Sequence, residues 1–192
     1  MPKAVIVFGS NINPQKYVPE AIRRLGKVVH ILAISPVYRT PPVGASGSPS
    51  YWNGALLIET EISPRELRDR VLRGIEAALG RVRTPDPNAA RTIDLDLVLY
   101  QGVHSDTSGI LLPSPDLWHY AHVAIPVADI VPDWPLNGET VADVARRLRE
   151  QARAFEVIHV DIPLPPGSHE GWLTRKTAQP DPTRGHLDRR RS

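Results

Sequence analysis

Apolar positions along the chain fall into short blocks with two different spacings. Residues 3–8 are almost continuously apolar and stop at Gly9-Ser10-Asn11, the pattern of a short buried strand running into a turn. Residues 14–25 place Ala21, Ile22 and Leu25 on one side and predict a first helix. Residues 28–38 are dense in β-branched side chains and predict a second strand, followed by a loop of Pro, Gly and Ser through residues 40–50. Strand character returns over residues 51–60, with Asn53 the odd polar side chain near its start. Ser63-Pro64-Arg65-Glu66 then supplies a cap, a proline at the first helical position and a capping-box carboxylate. Behind it Leu67, Val71, Ile75 and Leu79 repeat every four residues, a helical face that must be buried, and Gly80 ends the run. A polar loop over residues 81–90 leads to a strand over 93–100, in which Ile93, Leu95, Leu97 and Leu99 alternate with other positions.

Strand, helix, strand, strand, helix, strand is the order of an α+β, ferredoxin-like core: a four-stranded antiparallel sheet with two helices on one face. C-terminal additions follow. Residues 110–112 predict a short strand, 119–128 and 140–153 a helix each, and 155–160 a last strand. From residue 161 prolines accumulate, apolar residues thin out and the chain ends in Arg189-Arg190-Arg191 and a serine. The expected organisation is a folded domain over 1–160 and a basic, Pro-rich extension over 161–192, extended or disordered.

Charge sharpens this division. Lys and Arg number 23 and Asp and Glu 21, a net charge of +2, which excludes holding nucleic acid by bulk charge. Residues 1–160 carry 17 of each sign and are neutral, so the whole excess lies in the extension. The chain has no cysteine, which excludes disulfides, thiolate metal sites and a cysteine nucleophile. No signal-like leader or membrane-length apolar run is visible, so a cytoplasmic protein without a membrane partner is expected. A monomer is expected, with a dimer as the alternative. The histidines show no zinc-like spacing.

Candidate chemistry concentrates between residues 76 and 96. Asp94 and Asp96, one residue apart on a strand, project to the same face. Two adjacent carboxylates must be wetted, cation-paired or metal-bound, and hard oxygen ligands at this spacing suit Mg²⁺ together with substrate phosphates. Arg81, Arg83 and Arg91 flank the proline-containing loop, and guanidinium forks match phosphate oxygens. Glu76 lies one turn back on the helix, either facing the same cleft or as a solvated carboxylate. The alternative for the aspartate pair is a solvent-facing edge strand laced to arginines. No Gly-rich loop with Gly-Lys-Ser/Thr is present, so if the protein handles ATP it is not through a P-loop.

Several motifs in order resemble those of the 6-hydroxymethyl-7,8-dihydropterin pyrophosphokinases, a family of the folate pathway. They are Phe8-Gly9-Ser10-Asn11, Val37-Tyr38-Arg39-Thr40-Pro41-Pro42-Val43-Gly44, Tyr51-Trp52-Asn53-Gly54-Ala55, Gly80-Arg81-Val82-Arg83 and Arg91-Thr92-Ile93-Asp94-Leu95-Asp96-Leu97. The resemblance implies a ferredoxin-like core and transfer of pyrophosphate from ATP, the co-substrate, to a hydroxymethyl group with release of AMP, using two Mg²⁺ ions. It implies that Asp94 and Asp96 hold both ions and that Arg81 and Arg91 bind the transferring phosphates. Glu76, Arg83, Leu97, Ser114 and Tyr120 would belong to the nucleotide side. Thr40, Pro41, Pro42 and Val43 would line the pterin pocket, with Tyr51 stacking, Asn53 bonding the ring edge, and His122 on the facing wall.

The second half departs from the family pattern. Leu112-Pro113 and Ile125-Pro126-Val127 keep their spacing, but between them Ser114 stands for a histidine, Tyr120 for an arginine and His122 for a phenylalanine. In the loop, Asn88 and Ala89 stand where an aromatic is common. Three readings follow: a dihydropterin pyrophosphokinase with a reorganised nucleotide clamp, a relative acting on another hydroxymethyl heterocycle, or a catalytically weak protein that binds nucleotide or a partner.

Overall fold

The computed structural model describes residues 1–42, 49–82, 89–104 and 109–162. Strands β1 (Lys3–Ser10), β2 (His30–Ile34), β3 (Val37–Thr40), β4 (Tyr51–Glu59) and β5 (Asp94–Tyr100) form the sheet with a late strand, β8 (Glu156–Ile158). Its order is β5-β1-β4-β3-β8, with β2 also paired to β4, and every pairing is antiparallel. The order of the first five strands is that of the ferredoxin-like core, because β2 and β3 together occupy one strand position beside β4. They separate at Ser35-Pro36, where proline offers no N–H and the Ser35 hydroxyl accepts from Ala55 N–H at 2.8 Å. The expected single strand over 28–38 is therefore two shorter ones.

Helix α1 (Pro14–Leu25) and a continuous rod pack on one face of the sheet. The rod comprises α2 (Pro64–Glu66), a π-helical stretch (Leu67–Leu72) and α3 (Arg73–Ala78). The Ser63 hydroxyl accepts from Glu66 N–H at 3.4 Å at the start of the rod. The π-helical turn changes the expected register: Leu67, Leu72, Ile75 and Leu79 are buried, and Val71 is only partly so. A wider turn holds one more residue, so the face shifts by one position.

The opposite face carries a second core made by α4 (Asp116–His119), α5 (Ala121–Ile130) and α6 (Val141–Leu148), the last entered from a small hairpin of β6 (Pro135–Leu136) and β7 (Glu139–Thr140). Helices thus cover both faces of the sheet, where the element order predicted one. A bulge in β5 helps divide the cores: Leu97 pairs with Ile6 and Leu99 with Val5, so Val98 is an extra residue. Leu97 stays in the first core, while Val98 and Leu99 both join the second, against the expected alternation through Leu99. Residues 110–112 form no strand, but Ile110 and Leu112 are buried in the first core. Ile162 is buried there too, so packed structure extends past residue 160. Among the described residues no helix is long and apolar enough to cross a membrane.

Candidate active site

Sheet register assembles the site. Gly9 on β1 pairs with Asn53 on β4 and with Asp94 on β5, and Tyr38 on β3 pairs with Asn53. One residue row therefore crosses four strands, and two residues along, on the same face, lies the row of Ala55, Val7 and Asp96. Two strand spacings separate Asn53 from Asp94, about 10 Å. The floor between them is Gly9, whose missing side chain matters: a Cβ there would lie 2.8 Å from Asn53 Oδ1. Asn53 Nδ2 in turn donates to Thr40 Oγ1 at 2.7 Å, so the polar edge of this wall is preset.

Above the floor lies a cavity of about 340 Å³. Thr40, Pro41, Pro42, Tyr51 and Asn53 line one side, Arg91, Asp94 and Asp96 another, and Tyr120 and His122 face them. Asp94 is gripped from both sides, by Arg81 Nη1 at Oδ1 (2.6 Å) and Arg91 Nη1 at Oδ2 (2.5 Å). The Arg91 guanidinium carbon also lies 5.8 Å from the centre of the Tyr51 ring, within cation–π range. Asp96 differs: it is an exposed residue that lines the cavity. The surrounding protein pushes its carboxyl well above the usual range, Asp94 and Glu76 add to the rise, and Arg81 opposes it.

Asn11 and Ser10 explain the turn after β1. Asn11 Oδ1 accepts from Arg91 N–H at 2.8 Å and Ser10 Oγ donates to Thr92 C=O at 2.5 Å. The Gly-Ser-Asn motif therefore staples the Arg91 segment to the sheet. On the far wall the Tyr120 and His122 rings lie 5.2 Å apart at an angle of 34°. Burial lowers the His122 pKa, Asp116 opposes the shift and Arg91 adds to it.

Several expected site residues lie elsewhere. Glu76 is buried at 2 % exposure and its Oε1 accepts from Leu95 N–H at 2.9 Å, so it neither lines the cavity nor meets solvent. Leu97 faces the first core, away from the cavity. Ser114 is outside the cavity lining, and its N–H donates to Val98 C=O at 2.9 Å. Arg81 stands behind Asp94 without lining the cavity. Val43 and Arg83 lie outside the described residues, as does Asn88. Conversely Asp116, Val7, Gly9, Val98 and Val123 line the cavity without having been expected there. Asp116 had no sequence signal, since its place depends on how α4 folds back over β5.

A family model described as 7,8-dihydro-6-hydroxymethylpterin-pyrophosphokinase (HPPK) matches residues 5–132. A 2-amino-4-hydroxy-6-hydroxymethyldihydropteridine pyrophosphokinase of Methylorubrum extorquens is 35% identical over 151 residues, covering 77% of this chain and 94% of its own. One of Haemophilus influenzae is 30% identical over 151 residues, with 77% and 93% covered. The wild-type Plasmodium falciparum HPPK-DHPS crystal structure is similar in fold, at a TM-score of 0.64 and 12% identity over 83% of this chain. The chain spans only about half of that structure, 48% of its length. The family match takes in every residue that lines the cavity, and on that ground the chain belongs to the 7,8-dihydro-6-hydroxymethylpterin-pyrophosphokinase family.

Proposed function

We propose that the protein transfers pyrophosphate from ATP to the hydroxymethyl group of 6-hydroxymethyl-7,8-dihydropterin and releases AMP. The observation that carries this reading is the register that sets Asn53, bonded to Thr40, across Gly9 from Asp94, with Tyr51 and Asp96 on the same cavity. A flat heterocycle fits between Tyr51 and the far wall, where an aromatic face and amide-like hydrogen bonds are both available. Its hydroxymethyl group would then point toward the aspartates. The hydroxymethyl oxygen bonds to the β-phosphorus, the bond from that phosphorus to the bridging oxygen breaks, AMP leaves with that oxygen, and the hydroxyl proton passes to water. Such a displacement needs alignment and charge neutralisation more than covalent help.

Among the described residues no three acidic or histidine side chains converge to hold an ion by themselves. Asp96 lines the cavity open to a ligand and Asp94 lines it with its oxygens on two guanidiniums; carboxylates so placed are donors that Mg²⁺ shares with substrate phosphates, so this pair would hold two such ions. Bound there, the ions supply charge neutralisation and polarise the attacking and leaving oxygens. Arg91, held by Asp94 and by Asn11, is aimed to meet phosphate oxygens, and Arg81 fixes Asp94 from behind. His122 and Tyr120 close the facing wall by ring contact.

The test is AMP release from ATP with 6-hydroxymethyl-7,8-dihydropterin. Asp96→Asn should lower kcat by a factor of about 100 or more while far-UV circular dichroism is unchanged; near-normal turnover of that variant would refute the role of Asp96. The Tyr120–His122 wall is the one feature that favours another hydroxymethyl heterocycle. Turnover of such a compound at higher kcat/KM than the pterin would establish that second reading.

A further inference from the structure

Among the described residues the outer edge of β5 has no strand beside it, yet two of its backbone groups are engaged. Leu95 N–H donates to Glu76 Oε1 at 2.9 Å, and the Ile93 carbonyl accepts from Arg81 Nη1 at 2.9 Å. These groups flank Asp94, as would the two that one residue of a parallel neighbouring strand engages. The side chains that take its place come from the end of the α3 rod, and Glu76 Oε1 and Arg81 Nη1 are themselves 3.9 Å apart. Arg81 Nη1 continues the connection to Asp94 Oδ1.

Burying a carboxylate costs free energy unless hydrogen bonds and opposite charge offset it. Both are present at Glu76: a backbone N–H at one oxygen and a guanidinium within reach. The bonded peptide is the one that joins Asp94 to Leu95, the first of the two between the aspartates. Its orientation decides whether Asp94 and Asp96 project together into the cavity, because successive side chains of a strand follow the pleat. An unpaired edge is free to twist, and here the helix holds it.

We propose that Glu76 is a positioning residue that substitutes for the missing neighbour of β5 and thereby fixes the Asp94–Asp96 pair in its common orientation. It acts through Leu95 and Arg81, from outside the cavity lining. This rests on the cavity being the pyrophosphokinase site, but its primary readout does not.

The test uses the full chain with Glu76→Ala and Glu76→Gln. Hydrogen exchange of the Leu95 amide, followed by NMR without ligand, should be about tenfold or more faster in the alanine variant and near native in the glutamine variant, which keeps an acceptor. With ATP and acceptor, the alanine variant should lose about 10- to 100-fold in kcat with the acceptor KM within about twofold, because Thr40, Tyr51 and Asn53 sit on other strands. The glutamine variant should recover most of that loss. Unchanged Leu95 exchange in Glu76→Ala overturns the proposal, as does an equal kcat loss in both variants. If the alanine variant fails to fold, Glu76→Asp replaces it: one methylene short, it should speed Leu95 exchange where Glu76→Gln does not, and equal rates overturn the proposal. If the native protein releases no AMP, the proposed function fails, and Leu95 exchange alone still decides the role of Glu76.

Discussion

Gly9 shows how one absent side chain shapes the pocket floor. A Cβ would stand 2.8 Å from Asn53 Oδ1, a separation that neither strand can accept without moving, and Asn53 is also bound to Thr40. Gly9→Ala should therefore displace the Asn53 amide and weaken its bond to Thr40. One such bond is about 1 kcal/mol, so the acceptor KM should rise about fivefold. Binding of a non-hydrolysable ATP analogue with Mg²⁺, measured by calorimetry, should stay near native. Equal losses in both measurements would mean that the substitution acts on the whole fold. The same residue scale explains Asp94, which is held by two guanidiniums, against Asp96, which remains open to a ligand.

Among the elements, α6 carries the clearest local signal. Asp143 Oδ2 accepts from Thr140 N–H at 2.9 Å and from its hydroxyl at 2.7 Å, and the Thr140 hydroxyl accepts from Asp143 N–H at 3.3 Å. This reciprocal capping box fixes the helix start. The Thr140 side-chain and backbone bonds, then Arg146, hold the Asp143 carboxyl down to about 2 from 3.8. A carboxyl depressed on folding contributes stability above its unfolded pKa and loses it as pH falls through the folded one. The window here is therefore from about pH 4 down to about pH 2. Asp143→Asn should show a smaller drop in urea midpoint across that window than the native chain, and an equal drop would contradict the assignment. The rod from Pro64 to Ala78 gives the contrasting case. Its amphipathic pattern announced a helix, but the π-helical turn that exchanges Val71 for Leu72 answers to packing against the sheet.

For the whole molecule, the consequence is a sheet with a core on each face and the pocket at one end of the second. Leu117, fully buried in that core, adjoins Asp116 of the cavity lining. Leu117→Ala should lower the unfolding free energy by about 2–5 kcal/mol in urea titration; a loss below about 1 kcal/mol would mean the site collapses around the deletion. The blocks and turns of the chain were enough for the ferredoxin-like element order, because strand and helix periods are local properties. The same holds for the Asp94–Asp96 face and for the capping of the second helix. The pocket's aromatic and polar wall was legible through motif resemblance, residue types whose spacing alone had ordinary structural readings. Glu76, Leu97 and Ser114 were not legible: which side of an element meets a cavity depends on what packs on the other side. Residue type and spacing along the sequence determined the elements and the chemical inventory, since both follow from backbone geometry and side-chain chemistry within a few residues. Only the tertiary structure decided that Gly9 lies between Asn53 and Asp94, that helices cover both faces, and that Glu76 serves the strand edge, because each depends on pairings between residues distant in the chain.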